Sequence, residues 1–519
     1  MQGNSARSLL KKTAQISSLT LVSRCLGIVR EMLTVRYLGA GIISDAFFTA
    51  FKIPNSLRKM FAEGALSVAF IPKIVRIVRE RGKGEASSLM TLAFILIEGI
   101  VLALCAIAMW HAPTVVSYIA PGWSADQVAV AVPFLRFLMP FIFFVSSSAL
   151  LAGAMQSVDH FFVPAFGPVL LNIVFISGLI VCMAFSLPVT YLCVIILFGG
   201  FLKFLAHVAV YLRLQFSFGA ITRQAWHDFA SVIGKFIMCV VPLCFTEVML
   251  FISTSFASYL PAGSISLLYY ANRFMGIPQG VFATAFATIL LPHFSRVASY
   301  APQRMSFYLL ETTKFVFWVT VPASLLMMLL SKTIFLTIFF SDKFTMAQVI
   351  EASTILTAYV AGLFFLSLYR ILPNIFYALQ ITWIPAVVTM VAMTINVYLD
   401  LFLMARLQAV GLACAASITA VVQVLMLVGA LYLLGLRMYI RNFATFALRY
   451  VFQLISFGAI FWLLYRCMDT AIHQLPSTLV PFFATGMGIW LWVGPLCGLF
   501  FGCLYVTRKL FGIKAYFLE

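Results

Sequence analysis

Apolar runs long enough to cross a bilayer recur along almost the entire chain, separated by short polar stretches. They fall near 14–38, 42–71, 86–110, 128–153, 161–185, 189–212, 229–258, 265–292, 307–331, 348–372, 376–404, 409–434, 444–466 and 480–507. A helix rises 1.5 Å per residue, so about 20 apolar residues span the hydrocarbon. The pattern therefore predicts an all-α polytopic membrane protein with fourteen transmembrane helices. The second and eighth runs are interrupted, by Pro54 and by Gly276 with Pro278. Proline removes a backbone donor and clashes with the preceding turn. Broken helices persist at membrane depth only where protein or a watery cavity surrounds them.

Polar positions inside the runs change this picture. Arg24, Arg30, Lys52, Arg58, Lys59, Arg136, Lys203, Arg273 and Arg370 fall within spans, and Glu31, Asp45, Glu63, Glu98, Glu247 and Asp400 lie in or near them. An ionised group at the bilayer centre costs roughly 2.5–3.5 kcal/mol on insertion scales. Ser17, Arg24 and Glu31 are seven apart on the first helix, hence on one face, as are Asp45, Lys52 and Lys59 on the second. Asn55 and Arg58 stand beside the latter set, and Asn272 and Arg273 precede the break in the eighth helix. Converging guanidinium groups suit a phosphate or pyrophosphate, whose oxygens they bind in pairs. The competing reading is internal pairing: Arg30 with Glu31 or Asp45, and Arg58 or Lys59 with Glu63. Snorkelling accounts equally for Arg30, Lys59, Arg136 and Lys203. Arg370, among aromatics and before Pro373, stays open between the two. Glu247 and Asn396 suit either a coupling cation or core hydrogen bonds.

The chain also echoes itself. Ala50-Phe-Lys-Ile-Pro54 and the stretch Phe61 to Arg76 return as Ala271-Asn-Arg-Phe-Met-Gly-Ile-Pro278 and Ala283 to Arg296. Ala154-Met-Gln156 with Val163-Pro-Ala165 returns as Ala378-Leu-Gln380 with Ile384-Pro-Ala386. Six helices separate the copies, so both share one orientation. This predicts two parallel six-helix lobes, 1–225 and 226–436, followed by two C-terminal helices in 437–519. Transport sites in such repeats lie at the lobe interface near the midplane.

Composition agrees with the pattern: 519 residues, 63% hydrophobic, 10% charged, net charge +18. Placing the N-terminus in the cytoplasm puts 20 basic residues in inside segments, 5 in outside segments and the other 9 in spans. By the positive-inside rule both termini are cytoplasmic. The charge is thereby explained without nucleic acid. Arg7, Lys11 and Lys12 precede a run that continues as a long helix, which reads as the first span and not a leader. Segment 72–88, with Ile74, Val75, Ile77 and Val78 among five basic residues, predicts an amphipathic helix on the anionic inner leaflet or a solvated charge run. Trp110 and Trp123 flank an outside loop as interface anchors. The ten cysteines lie mostly in apolar runs without a Cys-x-x-Cys pair, and Gly486-x-Gly488 reads as helix packing. No Walker loop, His-Glu-x-x-His motif or soluble acidic pair is present, so no ATPase, metal, cofactor or glycosyltransferase chemistry is expected.

Ser23-Arg24-Cys-Leu-Gly27-Ile-Val-Arg30-Glu31, Asp45-Ala-Phe-Phe, Phe51 to Lys59, Phe61 to Pro72 and Tyr269-Tyr-Ala-Asn-Arg273 with Ile277-Pro278 closely resemble the MurJ (MviN) lipid II flippases of the MOP flippase superfamily. The resemblance implies a transporter, not an enzyme, of the bacterial inner membrane. It would move undecaprenyl-pyrophosphate-MurNAc-pentapeptide-GlcNAc between leaflets for peptidoglycan synthesis and cell shape. It implies pyrophosphate binding by Arg24, Arg58 and Arg273. Ser17, Arg30, Glu31, Asp45, Lys52, Asn55, Lys59, Glu63, Asn272 and Arg370 line or support the cavity, and the last two helices form a groove for the lipid tail. Partners are lipid II, membrane lipids and possible cell-wall synthesis proteins. Three departures from the family pattern stand out. Gly276 replaces an acid of many relatives, Asn272 replaces Asp, and Ser253 stands near the helix-7 aspartate of a sodium site in some members, so sodium coupling is in doubt. The rival readings are another exporter of the superfamily, for drugs or oligosaccharide-lipids, whose drug cavities would be acidic, and a membrane scaffold with dispensable cavity arginines.

Overall fold

The computed structural model describes residues 2–59, 66–436, 439–474, 476 and 479–518, and the described residues form helices joined by short turns. In the first half these are α1 (Gln2–Leu38), α2 (Ile42–Arg58), α3 (Leu66–Ala93), α4 (Gly99–Trp110), α5 (Ala112–Ile119), α6 (Ala125–Leu138), α7 (Phe141–Ser157), α8 (Phe162–Ala184), α9 (Val189–Arg213) and α10 (Arg223–Ala257). In the second half come α11 (Ser264–Pro278), α12 (Ala285–Tyr300), α13 (Met305–Phe339), α14 (Met346–Ala361), α15 (Leu363–Ile371), α16 (Pro373–Ala378), α17 (Trp383–Leu433), α18 (Ile440–His473) and α19 (Trp490–Thr507). Each predicted span falls on one or two of them.

Eight of the helices, counted over described residues, are long and apolar enough to cross a membrane, and α14 with α15–α16, bent by 47°, makes a ninth. Outside that set stand α1, α2, the short α5, α10, and α11 with α12. These carry Arg24, Arg30, Lys52, Arg58, Lys59, Glu247 and Arg273. The protein is an all-helical, multi-span membrane protein, and fourteen spans are consistent with this helix set. One of the eight, α17, is two arms. At Gln408 the backbone leaves helical geometry (φ 50°, ψ −131°). Asn396 Nδ2 donates to Thr419 Oγ1 at 3.1 Å. Twenty-three residues of straight helix would extend about 35 Å, so that bond requires the chain to double back.

The helix breaks have local causes. α2 contains Pro54 and ends at Arg58, and Glu63 lies outside the described residues. The eighth span passes from α11, ending at Pro278, through a π-helical turn Gln279–Thr284 into α12. Proline's missing N–H accounts for the irregular turn after Pro278, whereas α2 runs on helically through Pro54. At Gly362, between α14 and α15, an added Cβ would stand 2.6 Å from the Ser417 side chain. Only hydrogen fits between these helices.

The chain divides into two compact units, one up to Ser266 and one from Leu267 onward. In the first, α1 packs on α8, α8 on α9, α7 on α9, α2 on α6 and α3 on α7, and α10 lies along α3. In the second, α13 packs on α14, α14 and α15 on α17, and α12 on α16. The C-terminal pair α18 and α19 pack on one another, with α18 against α13. Tyr450 seals that seam, its hydroxyl donating to the Trp318 carbonyl at 2.6 Å.

One expectation needs correction. Segment 72–88 does not present its apolar face to a leaflet. Ile74 and Ile77 are buried in a protein core with Leu150, Leu151 and Met155 of α7 and Phe229 and Val232 of α10. The helix then breaks at Gly82 (φ 86°, ψ 178°), a conformation glycine adopts without strain. Helix α10 covers the apolar stripe, so membrane lipid is not needed to bury it.

Candidate functional site

The charged helix faces were predicted as one set, and in the structure they separate by environment. On α1, the Arg30 guanidinium donates to Glu31 Oε1 at 2.7 Å and to Asn172 Oδ1 on α8 at 3.0 Å. It also lies 5.2 Å from the centre of the Phe175 ring. Asn172 in turn donates to the Ser23 carbonyl and hydroxyl at 2.9 and 3.2 Å. Arg30 and Glu31 thus form part of the α1–α8 joint. Arg24, almost two turns earlier, is exposed and has no hydrogen bond or ion pair among the described residues. Ser17 sits on the same helix, with its side chain outside the description.

Along α2 the polar positions have distinct surroundings. Asp45, in the first turn, is 3% exposed. Its carboxylate accepts from the backbone N–H of Gly263 at 2.6 Å and of Ser266 at 2.8 Å, and from the Ser266 hydroxyl. Those donors are the unsatisfied N–H groups at the start of α11. A carboxylate there meets both their hydrogen-bonding need and the positive end of the helix dipole. Gly263 holds φ +100° to make the turn. Asp45 is therefore a structural anchor, turned into protein.

Lys52 reaches across to α10, donating to the Leu250 carbonyl at 2.5 Å and to Thr254 Oγ1. One turn on, Ser56 donates to Glu247 Oε2 at 2.5 Å. Lys59 Nζ pairs with Glu247 Oε1 at 3.1 Å. Arg58 points along its own helix and donates to Asn55 Oδ1 at 3.2 and 2.9 Å through Nε and a terminal nitrogen. It stands within electrostatic reach of Lys203 on α9. Lys203 itself packs over Gly167, where an added Cβ would lie 2.8 Å from its Cε.

The α2–α10 joint continues past the break. Asp228 holds Lys73 at 2.9 Å and Arg81 at 2.5 Å. Burial opposes ionisation of Asp228, but the hydrogen bonds and charges of Lys73 and Arg81 outweigh it and hold the carboxyl below its ordinary value. A depressed carboxyl contributes stability that is complete above the unfolded value of 3.8 and is lost as pH falls through the folded one. Asp228→Asn should therefore lower the melting temperature near neutrality. The gap to wild type should close as the pH is brought below that range. A gap that persists unchanged in acid would show that the ion pairs are not its source.

Sequence reading did not pair Glu247 with Lys59, yet the signal was there. Lys52 and Lys59 are seven apart, and so are Glu247 and Thr254. On antiparallel helices two such pairs meet in register. Knowing that α10 runs beside α2 was the missing piece.

In the second unit, Asn272 and Arg273 are exposed on α11. The Arg273 guanidinium lies 5.6 Å from the centre of the Tyr269 ring, and Asn272 shares a hydrogen bond with Tyr359 of α14. Arg370 is exposed at the end of α15. Asn396 makes the Thr419 hydrogen bond described above, and Asp400 is buried one turn further, with its Oδ2 unpartnered among the described residues. Glu98, in a π-helical turn, accepts from Ser146 Oγ at 2.6 Å.

Both units therefore present exposed arginines, Arg24 in the first and Arg273 and Arg370 in the second. Exposed guanidinium groups are suited to the oxygens of a polyanion. Comparison with known proteins bears on which polyanion. A structure of the lipid II flippase MurJ in an inward closed conformation matches 95% of this chain and 99% of that one, with a TM-score of 0.76 at 24% identity. The inward-facing conformation of a multidrug resistance MATE family transporter of the MOP superfamily matches 80% of this chain and 94% of that one, with a TM-score of 0.65 at 14% identity. A Haemophilus influenzae protein named "Probable lipid II flippase MurJ" is 30% identical over 465 residues, which is 86% of this chain and 90% of the relative. The family model described as "Lipid II flippase MurJ" matches residues 34–480. From the last turn of α1 to the approach to α19, then, the sequence pattern and the helical fold agree, and the chain belongs to the MurJ family of lipid II flippases.

Proposed function

We propose that this flippase carries lipid II from the cytoplasmic to the periplasmic leaflet of the inner membrane, with Arg24, Arg58 and Arg273 holding the pyrophosphate. The observation that carries the assignment is Arg24. It is exposed on a helix of the membrane domain and has no ion-pair partner among the described residues. Such a charge is costly in a bilayer unless a ligand or a watery chamber compensates it. Arg58 donates to the neutral amide of Asn55, and its guanidinium fork suits the oxygens of a diphosphate.

Movement is by alternating access between a lobe of residues 1–225 and a lobe of 226–436. The polyprenyl tail stays in lipid against the helices of 437–519. Both termini face the cytoplasm, as the basic loops require. Lys52, Asn55, Lys59, Asn272 and Arg370 set the potential around the anion. After release, the net positive charge of the site is driven back inward by the inside-negative potential, at about 2.3 kcal/mol per charge per 100 mV. Cell-wall synthesis proteins are the partners expected beside it.

The deciding experiment is transport of labelled lipid II in vesicles containing the purified chain, with and without an imposed potential. Lipid II should cross only when protein is present, and faster with the inside negative. Protein-independent crossing, or export of a cationic dye in its place, would defeat the proposal.

A further inference from the structure

Glu247 of α10 meets the cation-rich face of α2, and its two oxygens are engaged differently. Oε2 accepts from Ser56, which is fully buried. Oε1 pairs with Lys59, whose side chain is 38% exposed against 8% for Glu247. One bond is internal, and the other ends on an ammonium that a solute can reach. Lys59 directly follows Arg58, where the pyrophosphate is placed above. The nearby Lys52 is held differently, by a carbonyl and a hydroxyl. Both are neutral acceptors that no anion needs to displace.

We propose that Glu247 is an exchangeable counter-ion. In the empty protein it holds Lys59, and on substrate binding it yields Lys59 to the diphosphate. This rests on the placement of the substrate's diphosphate at Arg58. A diphosphate drawn to Arg58 offers Lys59 several oxyanion oxygens where Glu247 offers one. Glu247 keeps its Ser56 hydrogen bond, so it is not left wholly unpaired in its buried position. When Lys59 leaves, its own tie to α10 is lost, while the Lys52 and Ser56 ties from α2 and the Asp228 ties from α3 remain. Glu247 is thus a positioning residue: it competes with substrate and tempers affinity, so that bound lipid can later be released.

The test is binding of farnesyl diphosphate, a soluble polyprenyl diphosphate, to the purified full chain by calorimetry. Glu247→Gln keeps the shape and the Ser56 contact but removes the competing charge. It should bind about twofold to fivefold tighter, the range of a partly exposed ion pair. Lys59→Met should bind more weakly. Adding Glu247→Gln to Lys59→Met should then give no tightening, because the two act through one contact. Glu247→Asp, whose shorter side chain draws back from Lys59, should shift affinity the same way as Glu247→Gln and serves if that variant does not fold. A purely structural Glu247 predicts weaker binding on its replacement, whatever stands at 59. Unchanged or weaker binding by both Glu247 variants, with Arg58→Ala still losing the ligand, would overturn the exchange alone. Binding untouched by Arg24→Ala and Arg58→Ala would instead remove the site reading, and this proposal with it.

Discussion

Alanine at Arg24, Arg58 or Arg273 is expected to lower lipid II transport by about tenfold to a hundredfold, with normal amounts of folded protein in the membrane. A hydrogen bond to a charged group contributes about 1.5–3 kcal/mol, and each 1.4 kcal/mol is a factor of ten. At Arg24 above all, the loss should fall on activity because of what the side chain touches. Arg24 has no ion-pair partner among the described residues to strand. Arg58 bonds the amide of Asn55, and Arg273 lies by the Tyr269 ring. Lysine at these positions restores charge but not the planar fork, so partial rescue is expected. Arg30→Ala is the contrasting case. It deprives Glu31 and Asn172 of their partner, and should reduce melting temperature before it reduces transport per folded molecule. Complementation of a flippase-depleted strain, scored with the membrane level of each variant, measures both. Full rescue by all three alanine variants would end the pyrophosphate assignment.

Asp45→Ala should destabilise the protein by about 3 kcal/mol or more. The substitution leaves two backbone N–H groups without their acceptor, in a place that is 3% exposed, while the Ser266 hydroxyl keeps Ser44 Oγ at 2.8 Å. Each buried donor left unsatisfied costs about 1–3 kcal/mol. The favourable charge at the first turn of α11 is lost as well. Asp45→Asn keeps one acceptor oxygen but turns an amide N–H toward a donor, so an intermediate loss is expected. Thermal unfolding of detergent-solubilised protein reads this directly. A variant that melts with wild type, yet fails to transport, would move Asp45 from anchor to cavity group.

Asp45 and Arg24 show how much of the site was legible in advance. Both stand out in sequence for the same reason, an ionisable residue in an apolar run. The run announces that the charge needs an explanation, and it is silent on which one. Arg30 pairs with its neighbour Glu31, a contact written in the chain itself. Its second partner, Asn172, is 142 residues away, and no local pattern points to it. Likewise the apolar stripe of 72–88 was read correctly as a stripe, but its cover is α10 and not lipid. Amphipathicity reports that a face must be buried and does not name the material that buries it.

The number and order of apolar runs, the irregular turn beside Pro278 and the class of the protein follow from the chain alone, whereas the breaks at Gly82, Gly362 and Gln408 emerged only in the structure. Hydrophobic length and proline act locally, within a turn or two of the residue concerned. The family signature was legible for the same reason, being carried by contiguous motifs. What needed tertiary structure was the state of each charge: Asp45 spent on the start of α11, Lys52 and Lys59 tied to α10, Arg24 left open. Electrostatic and hydrogen-bonding energies depend on partners brought together across hundreds of residues and on the burial around them. Those quantities come into being only when the helices pack.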